Sequence, residues 1–313
     1  MANYRIGKTI RDLREKLNIT QEDLCDGICS VPTLSRIENG TRLPNKANFD
    51  ALMQRMGRDG NMYDALMDDH DFAVHEKKFE MRQCLLLRDY DRLRLLLDEF
   101  ASLTRADAEN LHRQFFLYIE AILEAEKDGE KLRALEKLQE AIKITVPKYG
   151  TCKIGKLYLT YDEIVILNNI GVTYSEMGRM DEAVELLQEL EKYIDAHNMD
   201  AQGKTRMYPL ILHNLTKCLG ISERYLECIQ LCEKGIEFCI QIDCTRLMAK
   251  FHYNRAWAMV KRGKPEQQEE AKNSVLLAYI LSMSVKNEEQ MLHYAKFARE
   301  HFNIELSELP FSV

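Results

Sequence analysis

The chain has 313 residues, a formal net charge of −7, 46% hydrophobic residues, and only 14 glycines and 6 prolines. This length exceeds the usual size of one hydrophobic core, so we expect two domains or a small domain followed by an extended array. The scarcity of Gly and Pro favours long helices over sheets with many turns, and we expect an all-α protein.

The N-terminal residues, MANYRIGKTIRDLREK, carry a charge every few positions and lack the apolar segment of a signal peptide. No part of the sequence approaches the run of about 18 apolar residues that a transmembrane helix needs. Nine cysteines show no paired CxxC spacing and no nearby histidine ligands, which argues against a zinc site or a disulfide framework. We therefore expect a soluble, cytoplasmic protein with reduced core thiols, without membrane contact, metal or cofactor.

The charge is unevenly distributed along the chain. Residues 1–66 contain ten Lys or Arg and nine Asp or Glu, so nearly all the excess acid lies in the remainder. A near-neutral head on an acidic body fits a compact DNA-binding domain that uses a few placed contacts, and excludes a nonspecific basic coat.

Two short helices are predicted at the start of the head. Apolar residues recur every three or four positions from Ile6 to Leu17, which predicts a helix over about 4–17. Thr20 can cap the next helix, with Asp23 three residues on as in a capping box. Gly27 ends that helix early.

A third helix is predicted over about 31–38. Ser30 is a good N-cap, and Pro32 falls in the first turn, where its missing N–H costs little. Leu34 and Ile37 face inward, and Asn39-Gly40 ends the helix. Two short helices joined by a tight turn are the geometry that lets the second one enter the major groove of DNA.

The segment IGKTIRDLREKLNITQEDLCDGICSVPTLSRIENGTRLP resembles the helix-turn-helix of the Xre/Cro family, most specifically in TQEDL, LSRIENG and the following Leu-Pro. The resemblance covers residues 4–56. It implies a five-helix DNA-binding domain, which we place at residues 1–66.

The resemblance also assigns DNA contacts to individual positions. Gln21 is expected to bind a phosphate at the start of the second helix. Pro32, Thr33 and Arg36 point toward base edges, with Ser35 at the boundary of that face, and Arg36 is the candidate for a bidentate contact with guanine. Pro32 replaces a more usual polar residue, so its expected contact is with a thymine methyl group. Contacts with backbone phosphates are expected from Asn39, Thr41 and Arg42.

Arg14 and Glu38 have two interpretations. Both look like charges that face DNA, but in this family the two positions resemble an internal ion pair that joins the first helix to the third. In that case the loss of either partner leaves a partly buried charge uncompensated. In the other case Arg14 binds a phosphate.

The remaining chain has the pattern of paired amphipathic helices, which calls for a search for repeats. Breaks are predicted at Arg88-Asp89, Asp128-Gly129, Gly178-Arg179, Gly220 to Arg224, and Gly263 to Pro265, with a loop from Pro147 to Gly155. Residues 167–187, LNNIGVTYSEMGRMDEAVELL, resemble the tetratricopeptide repeat. We count about five such helix pairs and a capping helix at about 287–301, and we expect the pairs to stack into a right-handed superhelix with a concave groove.

Asparagine recurs at equivalent positions of three consecutive repeats, at Asn169, Asn214 and Asn254. An Asn amide both donates and accepts, so these residues suit binding the backbone of an extended peptide. The other interpretation is that they bond neighbouring helices within the array.

The same register predicts which further side chains face the concave side. One Trp, one Tyr, one basic residue and amides resemble a small binding site with a few polar groups on an apolar floor. Trp257 fits core packing as well as stacking on a ligand. The predicted residues are Asn168, Val172, His213, Lys217, Tyr253 and Trp257.

The combination of an Xre-type head with five tetratricopeptide-like pairs resembles the RRNPP family of Gram-positive regulators. The resemblance spans the chain and places a peptide-binding and dimerisation domain at 70–313. It implies a quorum-sensing homodimer on a palindromic double-stranded DNA site, controlled by a short signalling peptide in the groove.

Three alternatives stay open from the sequence. An enzyme or phosphorelay protein is disfavoured because no GxSxG, HExxH or phosphate loop is present and the histidines are dispersed; binding a response-regulator partner stays possible. The repeats of a DNA-bound adaptor would dock another protein instead of a peptide. An array that serves only dimerisation would tolerate Ala at the groove asparagines.

Overall fold

The computed structural model describes residues 2–58, 69–104, 109–127, 129–197 and 199–306, with side chains from residue 6 onward. Within these ranges the chain is helical and contains no β-strand beyond an isolated bridge between Tyr149 and Cys152. The prediction of an all-α protein is confirmed. No helix in the same ranges is both long and apolar enough to cross a membrane.

The N-terminal segment forms the predicted short helices around an apolar core of residues that include Ile10, Leu24, Leu34 and Leu52. Residues 59–66 of the head lie outside the described residues, so the fifth of the five implied helices stays a prediction. The described helices are α1 (Ala2–Lys16), α2 (Gln21–Cys25), α3 (Val31–Glu38) and α4 (Lys46–Arg55).

The caps of α2 and α3 follow the sequence. The Thr20 hydroxyl accepts from the Asp23 N–H at 3.0 Å, and the Ser30 hydroxyl accepts from the Thr33 N–H at 3.3 Å. Asp23 does not complete a capping box, because its carboxylate accepts from the Thr20 hydroxyl itself at 2.8 Å. Each cap satisfies one of the N–H groups that a helix start leaves without an intrahelical partner.

The described residues that follow form eleven α-helices, in line with the predicted five pairs and a final helix. Their bounds are α5 (Asp69–Leu87) and α6 (Tyr90–Thr104), α7 (Asn110–Ala125) and α8 (Lys131–Thr145), α9 (Tyr161–Glu176) and α10 (Met180–Ala196), α11 (Ala201–Ile221) and α12 (Tyr225–Gln241), α13 (Thr245–Arg262) and α14 (Gln268–Ser284), and α15 (Glu288–Phe302).

The turns within the pairs lie at the predicted breaks. Arg88, Gly178, Glu223 and Gly263 have positive φ angles of 57°, 77°, 60° and 70°. A left-handed residue at this position ends a helix and lets the chain reverse, and Gly adopts it at little cost.

The chain divides into two compact units. The first comprises Met1–Gly178 and Lys192–Lys204, and the second comprises Arg179–Glu191 and Thr205–Val313. The helix-turn-helix segment therefore shares a unit with the first repeats, and the division at residues 66–70 stays a prediction.

The cysteines are free thiols, and most are buried as expected. Cys152 is an exception, because it lies exposed in the loop between α8 and α9. Among the described residues, no group of His, Cys, Asp and Glu could hold a metal ion.

Candidate DNA-binding and ligand-binding sites

Helix α3 separates a buried face from an exposed one. Leu34 and Ile37 are buried in the head, whereas Pro32 and Arg36 are exposed. Thr33 and Ser35, which complete the predicted base-contacting set, are half-buried. The side chains of α3 expected to reach base edges are thus accessible at the surface of the head.

Arg14 and Glu38 form the internal ion pair that the sequence predicted. Arg14 Nε donates to Glu38 Oε1 at 2.7 Å and its NH2 group donates to Oε2 at 3.0 Å, while NH1 donates to the Ile19 carbonyl at 3.0 Å. Glu38 is 2% exposed, and its hydrogen bond raises the pKa of Arg14. This bidentate pair ties α1 to the end of α3.

Gln21 contributes to the same network. Its Nε2 donates to Glu38 Oε2 at 2.7 Å, so the side-chain amide holds the buried carboxylate in this structure. The phosphate contact expected of Gln21 therefore stays a prediction.

The segment after α3 is exposed and is ordered by hydrogen bonds of its side chains and its backbone. The Thr41 hydroxyl donates to the Arg36 carbonyl at 3.0 Å, and Asn39 accepts a hydrogen bond from Arg11. Arg42 is exposed, in line with the predicted phosphate contact. Arg11, which the sequence reasoning missed, could have been found by its position three residues before Arg14 on α1.

A buried ion pair joins the head to the repeats within the first unit. Arg55, in the last turn of α4, donates from NH2 to Glu163 Oε1 at 3.0 Å, and these side chains are 2% and 0% exposed. The same guanidinium donates to the carbonyls of Leu24 at 3.2 Å, Asp26 at 2.6 Å and Thr145 at 2.8 Å. One side chain therefore connects the ends of α2 and α8 with the start of α9.

Glu163 is held from the other side by its own helix. Thr160 caps α9 by accepting from the Glu163 N–H at 3.3 Å, and Glu163 Oε2 accepts from the Thr160 N–H at 2.6 Å. This is a complete capping box. The motif Thr-x-x-Glu before an apolar run was visible in the sequence, but its partner Arg55 was not.

Close backbone packing and polar contacts extend the interface. Gly27 has φ +72°, and a Cβ built there would lie 2.2 Å from the Thr145 carbonyl oxygen. Asn110 donates to the Gly27 carbonyl at 2.8 Å, and Lys148 Nζ lies 2.9 Å from Asp23 Oδ1, which lowers the pKa of Asp23. These contacts leave Pro32 and Arg36 exposed.

The predicted groove asparagines contact their own array. In the first unit, Asn169 Nδ2 donates to the Val165 carbonyl of the same helix at 2.8 Å. In the second unit, Asn254 Nδ2 donates to Thr216 Oγ1 at 3.0 Å. Asn214 is half-buried. The Asn254 contact is the bond to a neighbouring helix that the second interpretation expects, whereas the Asn169 contact lies within its own helix. Peptide binding by these amides stays a prediction.

The remaining groove candidates differ in accessibility. Asn168 is only 4% exposed, Val172 and His213 are half-buried, and Lys217 is exposed. Ligand access is therefore most direct at Lys217.

The two aromatic candidates are partly packed in the second unit. Tyr253 stacks on Tyr294 with ring centroids 4.6 Å apart. Trp257 lies against Gly220, and its ring is 6.0 Å from that of Tyr225. Both side chains remain half-buried rather than buried, so packing accounts for part of each ring.

Two family models match the chain. Residues 10–60 match a helix-turn-helix model, and residues 155–288 match the RNPP family C-terminal domain. The protein is thus a helix-turn-helix protein with tetratricopeptide-like repeats. The two matched ranges together span more than half of its length, and the chain belongs to the RNPP, or RRNPP, family. Neither model describes an enzyme.

Solved structures share the fold at low sequence identity. The chain is similar to Bacillus thuringiensis PlcR in complex with the peptide PapR7 and DNA, at 17% identity and a TM-score of 0.57, over 96% of this chain and 100% of that one. ComR from Streptococcus thermophilus, in complex with DNA and its signalling peptide ComS, gives 14% identity and a TM-score of 0.52, over 95% and 99%. A search of curated protein sequences found no relative.

Proposed function

We propose that this protein is a cytoplasmic transcription regulator whose sequence-specific DNA binding is controlled by a short signalling peptide bound by the repeats. The observation that carries the proposal is the Arg55–Glu163 pair, which joins the DNA-binding head to α9, the helix that bears Asn169. Two sites joined through a buried contact have a physical route for coupling.

The DNA-binding part of the proposal uses the exposed surface of the head. Pro32, Thr33, Ser35 and Arg36 contact base edges, and Arg36 is free of ion pairs within the described residues. Its guanidinium can donate two hydrogen bonds to a guanine. The proposed phosphate contacts are Gln21, Asn39, Thr41 and Arg42.

The peptide-binding part uses the first helices of the third to fifth pairs. The PlcR and ComR complexes, which share the fold, contain both DNA and a peptide, and this supports the same pair of partners here. The proposed contacts are Asn168, Asn169 and Val172 in the first unit, and His213, Asn214, Lys217, Tyr253, Asn254 and Trp257 in the second.

A homodimer on a palindromic operator completes the proposal, and α5 carries a surface suited to it. Phe72, Phe79 and Leu86 recur every seventh residue and are 56%, 56% and 58% exposed. An antiparallel copy centred on Phe79 would place Phe72 against Leu86. This apolar stripe can therefore pair with its own copy, as a two-fold interface requires.

The test of the proposed function combines two titrations. The purified protein is titrated with DNA from the region upstream of its own gene, and separately by calorimetry with short peptides encoded beside that gene. The Asn169, Asn214 and Asn254 triple Ala variant is measured in parallel. Peptide binding that the triple variant loses, together with a peptide-dependent change in DNA affinity, supports the regulator; DNA binding that no peptide alters contradicts peptide control.

A second candidate is a DNA-bound or phosphorelay-directed adaptor whose repeats dock a protein. The intramolecular bonds of Asn169 and Asn254 favour it, because amides engaged within the array are less available to an extended peptide. DNA binding by a protein that binds none of the candidate peptides would support this candidate, whereas a triple variant that binds peptide as the original protein does would show only that the asparagines are structural residues.

A further inference from the structure

Basic residues are concentrated in two neighbouring first helices of the second half. Helices α11 and α13 together contain eight Lys or Arg and no Asp or Glu, in a chain whose net charge is −7. The paired second helices α12 and α14 contain five Glu between them. Charge is therefore segregated between the two layers of the repeats, and the first helices are those expected to line the groove.

The two basic helices are in direct contact within the second unit. Asn254 of α13 donates to Thr216 of α11 at 3.0 Å, and its Nδ2 lies 3.4 Å from His213 Nδ1. The rings of His213 and Phe251 meet edge to face at 6.1 Å. Side chains of α11 and α13 that lie one helical turn from this contact therefore share one surface.

Two lysines flank His213 on this surface. Burial, followed by the positive charges of Lys250 and Lys217, lowers the pKa of His213 to about 3, so the imidazole is neutral near pH 7. Lys217 lies one turn after His213 on α11, is exposed, and forms no ion pair with the described residues. The ammonium groups of Lys217 and Lys250 therefore both raise the positive potential beside His213.

The nearby carboxylates are directed elsewhere. Glu233 of α12 lies 3.3 Å from Arg255, and Glu270 of α14 also pairs with Arg255. Arg255 NH1 donates to Ser274 at 3.0 Å as well. Arg255 therefore matches two of the five acids of the second helices.

We infer that His213, Lys217 and Lys250 form a subsite for a carboxylate, with Asn254 positioning His213, and that the ligand of this groove is an acidic peptide. This inference rests on the proposed function and names the chemistry of its ligand. Lysine ammonium groups donate charge-assisted hydrogen bonds to carboxylates, and the field of two helices that contain no acidic residue strengthens that preference. The half-buried rings of Tyr253 and Trp257 provide the apolar floor that a peptide side chain needs beside the charge.

The test uses three pools of short synthetic peptides with the same randomised sequence. The pools differ only at fixed positions, which carry Glu in the first pool, Gln in the second and Lys in the third. Trp257 is the single Trp of the chain and lies beside the subsite, so its fluorescence reports binding of peptides that lack Trp. We expect the Glu pool to bind about tenfold more tightly than the Gln pool, and the difference to shrink as salt is raised.

Two double variants locate the preference. Lys217→Gln with Lys250→Gln should abolish the difference between the Glu and Gln pools, and Lys217→Glu with Lys250→Glu should favour the Lys pool. Lys272→Gln with Lys286→Gln removes the same charge from other parts of the second unit and should leave the preference intact. Circular dichroism of each variant verifies its fold.

Each other outcome overturns the inference in a distinguishable way. Equal binding of the Glu and Gln pools refutes the acidic ligand and leaves peptide control standing. Binding of no pool by a protein that still binds its operator refutes the inference together with the peptide part of the proposed function. Lysine-dependent binding of random single-stranded DNA, without any preference among the peptide pools, would assign the surface to nucleic acid instead.

Discussion

The Arg55 guanidinium and the Glu163 carboxylate meet at 3.0 Å, although 108 positions separate the two residues in the chain. Each is almost completely removed from water, and each has further hydrogen bonds, although Arg55 Nε is buried without a hydrogen-bond partner among the described residues. A buried pair of this kind is costly to break from one side, because the partner left behind is an uncompensated charge.

The first prediction concerns this pair. Arg55→Met should lower the free energy of unfolding by about 3–5 kcal/mol, since Glu163 loses its partner while it stays buried. Urea unfolding measures the change, and Arg58→Met, which alters an exposed arginine three residues later, is the control. Equal effects of the two substitutions would show that the burial of Arg55 does not matter.

A double-mutant cycle sharpens the result. Glu163→Gln keeps a group that can accept from Thr160 and removes only the charge. The combined Arg55→Met and Glu163→Gln variant should be less destabilised than the sum of the single variants. Additive effects would indicate that the two side chains act separately.

Much of the fold followed from local signals. The caps at Thr20 and Ser30, the helix at 31–38 and the breaks at Gly178 and Gly263 depend on residues within one or two turns of each other, so periodicity and capping chemistry were sufficient. The Arg14–Glu38 pair also followed, but through resemblance to a known motif.

The rest depends on packing between distant parts of the chain. Nothing near Arg55 in the sequence identifies Glu163 as its partner, and Arg55 looks like one more basic residue of the head. Pro209 lies inside α11, where its missing N–H and its ring would ordinarily end or kink a helix. In both cases tertiary burial outweighs the local preference.

The second prediction tests the proposed base contact. Arg36→Ala should weaken binding to the operator by about 1–3 kcal/mol and leave binding to random DNA nearly unchanged. Arg42→Ala is the matched control, since a phosphate contact should weaken both and reduce the salt dependence of binding. Fluorescence anisotropy with the two DNAs measures both effects. An equal loss on every sequence for Arg36→Ala would contradict a base contact.

The third prediction concerns pH. Burial lowers the pKa of His252 to about 4. Below about pH 6.5 the imidazole is therefore protonated in the unfolded chain while it stays neutral in the folded protein. The stabilisation is complete above the unfolded pKa and is lost as pH falls toward the folded one. The free energy of unfolding should therefore decrease between pH 6.5 and about 5.

His252→Asn should make this decrease in the free energy of unfolding smaller by about 1 kcal/mol between pH 6.5 and 5. His75→Asn, which removes an exposed imidazole on α5, should not. Urea titrations at pH 7.5, 6.0 and 5.0 compare the three proteins. An unchanged slope in the His252 variant would assign the acid sensitivity to other groups, such as His213, whose pKa is lowered in the same direction.

The last prediction tests the dimer surface on α5. Phe79 lies at the centre of the stripe and is 56% exposed, so Phe79→Glu should place two like charges at the two-fold axis and convert a dimer into monomers. Light scattering after gel filtration measures the mass. Leu132→Glu is the control, because Leu132 is an equally exposed apolar residue on α8, outside the stripe. Affinity for a palindromic operator should fall with the loss of the dimer, whereas affinity for a half-site should persist, because α3 is unchanged. A Phe79→Glu variant that keeps the mass of a dimer would place the two-fold interface elsewhere on the chain.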